Sequence, residues 1–427
     1  MSIYRRRVID NLLKKKLQAK GAVLIEGPKW CGKTTTAEEI AASKIMLART
    51  DVKNSFKNLL EMDMDVALAG DTPMLIDEWQ TVPKLWDAVR CTIDKRRLMG
   101  QFILTGSAVP DRDAEREREH SGTGRFAWLT MRPMTLYESG ESNGRVSLAD
   151  LFDSHEKIVE KSELSLQDIA FLICRGGWPM AVGLSPEVAL EQAFDYYDAV
   201  TKEDITKVDG VKRTSERAQR LMRAYARHQG TQASLSTLKE DLRNNDTNTL
   251  NEDTISSYID TMRKIFVVED MPAWNPNLRS KTAIRTADTR YFVDPSIATA
   301  ALGLGPANLI NDLNTMGFLF ETMCVRDLRV FAEALNGKVY HYRDKSGLEC
   351  DAVVHLRDGR YGLVEIKLGG ESLTNEGAKT LNALEHHIDT DRMNAPSFKM
   401  ILTATGDYAY RRPSDGIYVV PIGCLKD

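Results

Sequence analysis

Short apolar runs separated by helical repeats set the rhythm of the first third of the chain. Ala22 to Glu26 (AVLIE), apolar as far as Ile25, Met74 to Ile76 (MLI) and Phe102 to Leu104 (FIL) read as short apolar strands. Unbroken apolarity, rather than alternation, is what a strand covered on both faces requires. Residues 1–140 therefore read as alternating strands and helices around a parallel sheet. From 141 to 212 the period is helical, broken at RGGWP (Arg175–Pro179) by a Gly-Gly turn and a proline. Residues 213–275 read as three helices and then the short run IFVV, the order of a winged helix-turn-helix. Residues 276–427 return to strands, with period-two alternation over Glu349–Leu356 and Tyr361–Leu368. The fold class is α/β.

The first apolar run leads into Gly27-Pro-Lys-Trp-Cys-Gly32-Lys33-Thr34, a G-x-x-x-x-G-K-T phosphate loop followed by a helical pattern. Such a loop curls so that successive backbone N–H groups meet one anion at a helix N-terminus. Gly27, Pro28, Lys29, Trp30, Cys31, Gly32, Lys33, Thr34 and Thr35 are the expected nucleotide-binding residues. Lys33 would reach the β- and γ-phosphates and Thr34 would hold Mg²⁺. The second run ends in Asp77-Glu78. Asp77 is placed to complete the Mg²⁺ shell, and Glu78 to orient and deprotonate an attacking water. The third run ends in Thr105-Gly-Ser107, two candidates for sensing the γ-phosphate. The stretch Val109–Phe126 is dense in charge and is expected to be a mobile loop beside the nucleotide. Arg125 at its end is a candidate trans-acting or sensor arginine, and a solvated loop arginine fits the same pattern.

The phosphate loop, LIDEWQ, ILTGSA, GRFAWLTMRPMTLYE (Gly124–Glu138) and RGGWP together resemble a widespread prokaryotic AAA-type ATPase family whose C-terminal region has no assigned function. The resemblance spans nearly the whole chain and implies ATP as the nucleotide. It also implies that an assembly of copies should be tested.

Bulk numbers narrow the partners. The 427 residues allow about three domains. The net charge of −4, from 57 basic and 61 acidic residues, carries no global nucleic-acid signature, so any DNA role rests on local patches. Six scattered cysteines without a C-x-x-C pair argue against a disulfide scaffold or a zinc site and fit a reduced, cytoplasmic protein. No run approaches the ~20 apolar residues of a membrane span. The N-terminus, with Arg5–Arg7 and Lys14–Lys16, lacks the apolar core of a signal peptide and reads as the solvated face of a first helix. Arg213, Arg217, Arg220, Arg223 and Arg227 step along one helical stripe. Phosphate contact, a solvated face and an acidic partner surface all remain open for it. The third helix of the winged-helix segment carries Glu252, Asp253 and Asp260, a poor surface for DNA, which favours a spacer or protein-contact role.

A second constellation lies at Tyr340–Gly370. The turn length between its two strands decides the chemistry. A two-residue loop would put Asp351 and Glu365 on opposite faces, whereas a three-residue loop, Arg357 to Gly359, pairs them. The second register collects Glu349, Asp351, Glu365 and Lys367 on one face and leaves the other apolar, and is the one expected. Two facing carboxylates repel unless a cation lies between them, and oxygen ligands suit Mg²⁺ or Mn²⁺. The D…E-x-K arrangement resembles the PD-(D/E)XK nuclease superfamily, with Glu321 matching its helical acid. Cys350 stands where a proline usually precedes the first acid. The resemblance implies a restriction-endonuclease-like domain with Glu321, Asp351 and Glu365 as metal ligands and Lys367 as a catalytic cation.

The expected protein thus has a P-loop AAA-type domain at 1–140, a helical lid at 141–212, a winged-helix segment at 213–275 and a nuclease-like domain at 276–427. It binds and hydrolyses ATP to ADP with Mg²⁺, and its second acid site takes another divalent metal and acts on DNA. The alternative is a nucleotide-switched binding protein, gripping DNA or a protein partner with an inactive nuclease-like fold.

Overall fold

The three apolar runs become three of five parallel strands in a computed structural model of the chain, which describes residues 4–108, 122–153, 158–207, 211, 213–245, 250–278 and 284–427. The chain divides into two compact units. The first comprises Met1–Pro133, Lys202–Ser215 and Asp260–Val267, and the second Met134–Thr201, Glu216–Ile259 and Val268–Asp427.

In the first unit the strands are β1 (Ala22–Glu26), β2 (Ser43–Met46), β3 (Met74–Asp77), β4 (Phe102–Gly106) and β5 (Phe126–Thr130), in the order β2-β3-β4-β1-β5. Alternate residues feed opposite cores. Leu24, Ile76, Phe102 and Leu104 pack with Phe56, Leu85, Trp86 and Val89. Val23, Ile25, Leu75 and Ile103 pack with Leu12, Leu13 and Leu17 of the first helix. Each such burial stabilises by roughly 1.5–3 kcal/mol, comparable with the roughly 1–2 kcal/mol that ordering a residue costs. A sheet this short therefore needs both faces covered, which is why its strands are apolar throughout. The register pairs Glu26 with Gly106 and Thr130, and Met46 with Asp77. Every C-terminal strand end thus lies on one edge of the sheet.

The second unit carries β6 (Val146–Ser147), β7 (Val159–Lys161), β8 (Gly337–Arg343), β9 (Glu349–Leu356), β10 (Tyr361–Lys367), β11 (Phe398–Thr403), β12 (Tyr408–Arg411), β13 (Tyr418–Pro421) and β14 (Leu425–Lys426). Seven of them form one mixed sheet, β7-β12-β13-β11-β10-β9-β8, and β14 pairs with β6. Tyr361 pairs with His355 and Val364 with Ala352, so the β9–β10 loop is the three residues Arg357 to Gly359, with Gly359 at φ +90°. The burial differs from the expected two-faced hairpin. All of β10 from Tyr361 to Ile366 is buried, including Glu365, because the helix Glu371–His387 packs against this sheet, with Gly377 against the Glu365 side chain.

RGGWP has a structural duty here. The backbone N–H of Gly177 donates to Asp294 Oδ2 at 2.9 Å, and Trp178 Nε1 donates to Ser296 Oγ at 2.9 Å. Asp294 also receives Arg326 at 2.8 Å, and Arg326 reaches Asp327 at 2.7 Å. Arg326 and both acids are buried. Desolvation pushes the Asp327 carboxyl up to about 6 against the pull of Arg326. Arg175 pairs with Glu141 in this unit and is buried.

The basic stripe is shorter than the sequence suggests. The helix runs Ser215–Arg227, and Arg213 precedes it as a buried residue. Arg227 pairs with Asp241 at 2.8 Å. Arg223 donates to the Ala301 carbonyl and, with Arg227, lines a cleft of about 510 Å³ floored by Leu302, Leu304, Phe318 and Leu319. The helices Leu235–Asn245 and Glu252–Lys264 follow, and then isolated antiparallel bridges, Val268 to Phe292 and Met271 to Thr289. No helix among the described residues is long and apolar enough to cross a membrane.

Removing the cation from the buried triad leaves two buried acids unbalanced. Arg326→Met is expected to lower stability by about 3–5 kcal/mol, and Arg227→Ala, which breaks an exposed pair, by less than about 1 kcal/mol. Urea denaturation of the two variants measures this difference, and equal losses would contradict it.

Candidate functional site

The first site stands on the C-terminal edge of the parallel sheet. Gly27 follows β1 with φ +155°, and a Cβ there would lie 2.0 Å from the Met131 carbonyl oxygen, so only glycine fits. Lys33 is buried, and its Nζ donates to the carbonyls of Gly27 at 2.9 Å and Pro28 at 2.7 Å, which holds the loop closed around its own lysine. Lys29 pairs with Asp204 at 2.5 Å, and Trp30 stands at φ +65° with half its surface exposed. Cys31 is buried, with its carbonyl fixed by Arg7 Nη1 at 2.8 Å. Arg7 also reaches the Arg132 carbonyl at 2.8 Å. The sequence reading placed Arg5–Arg7 on a solvated face. Arg7 is instead buried, because two main-chain carbonyls beside the phosphate loop take up its donors.

Asp77 and Glu78 face that loop from the end of β3. Thr34 Oγ1 donates to Asp77 Oδ1 at 2.6 Å, and Thr105 Oγ1 donates to the same oxygen at 2.6 Å. Glu78 sits at φ +55° with its N–H on Thr105 Oγ1 at 3.3 Å. Its Oε2 accepts from Ser107 Oγ at 2.9 Å and from Gln80 Nε2. Thr105 and Ser107 thus hold the two acids, Thr105 for Asp77 and Ser107 for Glu78. Gln80 performs the same service for Glu78 and was not singled out in the sequence; its place two residues after the acid was the only signal. Thr35 follows Thr34 in the short helix Lys33–Glu38.

The structure does not bring Arg125 to this edge. It precedes β5, whose first residue pairs with Ala22, so it lies about 13 Å of strand from the loop end. Its guanidinium grips Asp94 at 2.9 Å and 3.1 Å, and the Asp94 carboxyl is held below its usual range by that bond. Arg125 is therefore no sensor for the nucleotide of its own chain. The rest of the charged loop, residues 109–121, lies outside the described residues.

The second site is in the second unit. Asp351 on β9 and Glu365 on β10 flank Lys367, whose Nζ lies 3.4 Å and 2.8 Å from them. Asp351 Oδ2 also accepts the Ile366 N–H at 2.7 Å. Glu321 lies on the helix Leu313–Ala334 close enough to feel all three, and it accepts from the Tyr291 hydroxyl. Desolvation, then repulsion from Asp351, pushes the Glu365 carboxyl up to about 8. The same two causes, in the same order, raise Glu321 well above the ordinary carboxylate range. Burial lowers the proton affinity of Lys367, but the two carboxylates outweigh it and raise it overall.

Three carboxylates here share one ammonium, and Glu365 Oε1 is buried without a hydrogen-bond partner. Those residues fit a hydrated divalent cation on the Asp351–Glu365 pair, since such ions often keep water and one or two carboxylates. They do not form a three-ligand cage. Among the described residues no three His, Cys, Asp or Glu side chains are grouped to hold a metal ion. Lys367 lies between two of the acids and Tyr291 engages the third.

Residues 19–139 match a family model described as an AAA domain. Residues 166–308 and 316–425 match two models described as domains of unknown function, DUF8612 and DUF4143. Two uncharacterized proteins, one of Mycobacterium tuberculosis and one of Mycobacterium bovis, are each 23% identical over 372 residues, covering 86% of this chain and 74% of the relative. A Walker-type ATPase of Pyrococcus abyssi superposes with a TM-score of 0.43 at 14% identity, over 70% of this chain and 96% of that one. Residues 19–139 are an AAA-type P-loop domain, by the family match and the geometry together.

The buried acid predicts a pH dependence. The folded value of Glu365 is raised from 4.5 to about 8, so its stabilising protonated form is complete below 4.5 and lost as pH rises towards 8. Thermal melting in chelator should show stability falling across that window. Glu365→Gln should flatten the fall, and an unchanged slope would contradict the assignment.

Proposed function

We propose that the chain is a Mg²⁺-dependent ATPase coupled to a nuclease-like acid site. The observation that carries the first half is the shared Asp77 oxygen, which ties the hydroxyl of the phosphate-loop helix to the end of β3. Thr34 and Asp77 are side by side, as the two protein ligands of a nucleotide-bound Mg²⁺ must be. The ion would supply charge neutralisation at the β- and γ-phosphates. Lys33 would exchange its loop carbonyls for phosphate oxygens. Glu78 has Oε2 engaged by Ser107 and Gln80, which leaves Oε1 to take a proton from water. The new bond is water oxygen to γ-phosphorus. The broken bond is γ-phosphorus to the β–γ bridging oxygen, and ADP leaves with the electron pair.

For the acid site, the reading is phosphodiester hydrolysis in DNA. Asp351 and Glu365 would hold the divalent cation, and Lys367 would steady the charge that develops on phosphate. The second reading, a grip on DNA or a protein without cutting, draws on the absence of a three-ligand group among the described residues. Plasmid cleavage with and without ATP, comparing the natural chain with Asp351→Ala, separates the two. Loss of cutting in the variant supports hydrolysis, and no cutting by either supports the binding reading.

The ATPase half makes its own prediction. Glu78→Gln should keep ATP binding and lower turnover by about 10²–10⁴-fold, the usual worth of a general base. Lys33→Ala should lose binding as well. Equilibrium ATP binding measured beside phosphate release checks both, and normal hydrolysis by Glu78→Gln would rule out that base.

A further inference from the structure

Tyr291 has no place in the chemistry above, yet its side chain ends on one of the acids. It is fully buried beside the bridge between Val268 and Phe292. A buried phenol needs an acceptor. The nearby Asp270 is already engaged by Arg290 at 2.7 Å and by the Tyr225 hydroxyl. The Tyr291 hydroxyl goes instead to Glu321 Oε1. Arg329 lies over the Tyr291 ring at 5.7 Å and pairs with Glu269 at 3.6 Å, so the ring is held from behind.

Glu321 is enclosed on another side by backbone. Gly230 has φ +68°, and a Cβ there would come within 3.1 Å of Glu321 Oε1 and 3.2 Å of Oε2. Gly230 and Tyr291 belong to one piece of wall. The Gly230 N–H donates to the Arg290 carbonyl at 3.0 Å, and the Arg290 N–H to the Thr231 carbonyl at 2.9 Å. Both wall residues fall in the segment 166–308, whereas Glu321, Asp351, Glu365 and Lys367 fall in 316–425. The acid site is therefore built from two regions of the chain.

We propose that Tyr291 is a positioning residue of the acid site, holding Glu321 as an outer acid beside a divalent cation carried by Asp351 and Glu365, and that the middle region serves to complete this site. The assignment rests on the acid-site reading above. Loss of an outer partner of a metal site commonly costs 10–100-fold in metal affinity.

The experiment is a Mn²⁺ titration of the full chain without nucleotide, with the metal alone as probe. Asp351→Ala marks the share of binding that belongs to the acid site. Tyr291→Phe removes one oxygen and should weaken that share by about tenfold. In a Glu321→Gln background the same change should add nothing, because the coupled group is gone. A merely structural tyrosine would lower the melting temperature equally in both backgrounds and leave Mn²⁺ affinity unmoved. Affinity unchanged in Tyr291→Phe overturns the assignment. Mn²⁺ binding that ignores Asp351→Ala overturns the acid-site reading and this assignment with it. If Tyr291→Phe loses its cooperative melt, 3-fluorotyrosine at position 291 replaces it. Its ¹⁹F resonance should shift on adding Mg²⁺ and stay still in Asp351→Ala, and a resonance indifferent to Mg²⁺ overturns the proposal.

Discussion

One carboxylate oxygen organises the nucleotide site. Asp77 Oδ1 accepts two hydroxyls at 2.6 Å, one from Thr34 and one from Thr105. Asp77 ends β3, Thr105 stands on the neighbouring β4 and Thr34 on the helix that follows β1 and its loop, and they meet only because β1, β3 and β4 end level. Level ends follow from register, and register follows from packing both faces with apolar side chains. A slip of one residue would swap the faces of Ile76 and Asp77 and carry Asp77 away from Thr34 and Thr105. Glu78 inherits its place from the same arrangement, with its N–H on Thr105 and its carboxylate on Ser107. The chemistry of the loop is thus a consequence of the hydrophobic pattern beneath it.

The second unit holds two arrangements of buried charge. Arg326 lies between Asp294 and Asp327, and the acids are further satisfied by backbone N–H groups of Gly177 and Leu136 and by Ser296. One cation serves two acids there, Arg326 Nη2 pairs with Asp327 by charge without a hydrogen bond, and the cluster serves architecture. Around Lys367 the excess of acid is greater. Three acids share one cation, and one buried oxygen has no donor. Desolvation and mutual repulsion then raise the proton affinity of Glu321 and Glu365. Raised proton affinity of that kind is what marks the group as a candidate site.

Some of this was readable from the chain and some was not. β1, β3 and β4 announce themselves as unbroken apolar runs. β2 does not, because SKIM lies partly exposed at the sheet edge and carries a lysine. β5 reads as an irregular mixture because Trp128 is exposed while its neighbours are buried. The pairing of Asp351 with Glu365 was legible because only the Arg357–Gly359 loop keeps the alternation intact. The burial of that face was not, because it depends on a helix that arrives later in sequence, Glu371–His387. Arg7 looked like one of three solvated arginines, and the carbonyls that bury it belong to Cys31 and Arg132. Tyr291 carries no spacing signal at all, since its partner Glu321 is thirty residues away.

In the proposed mechanism the Asp77-anchored loop hydrolyses ATP, and Thr34 and Asp77 would hold the divalent ion. Phosphate release from ATP by the unaltered chain, followed as Mg²⁺ is raised from a chelated baseline, tests it most directly. No release is expected in chelator, and a saturable rise is expected with Mg²⁺. Release that ignores the chelator, or none at any Mg²⁺ concentration, would contradict it.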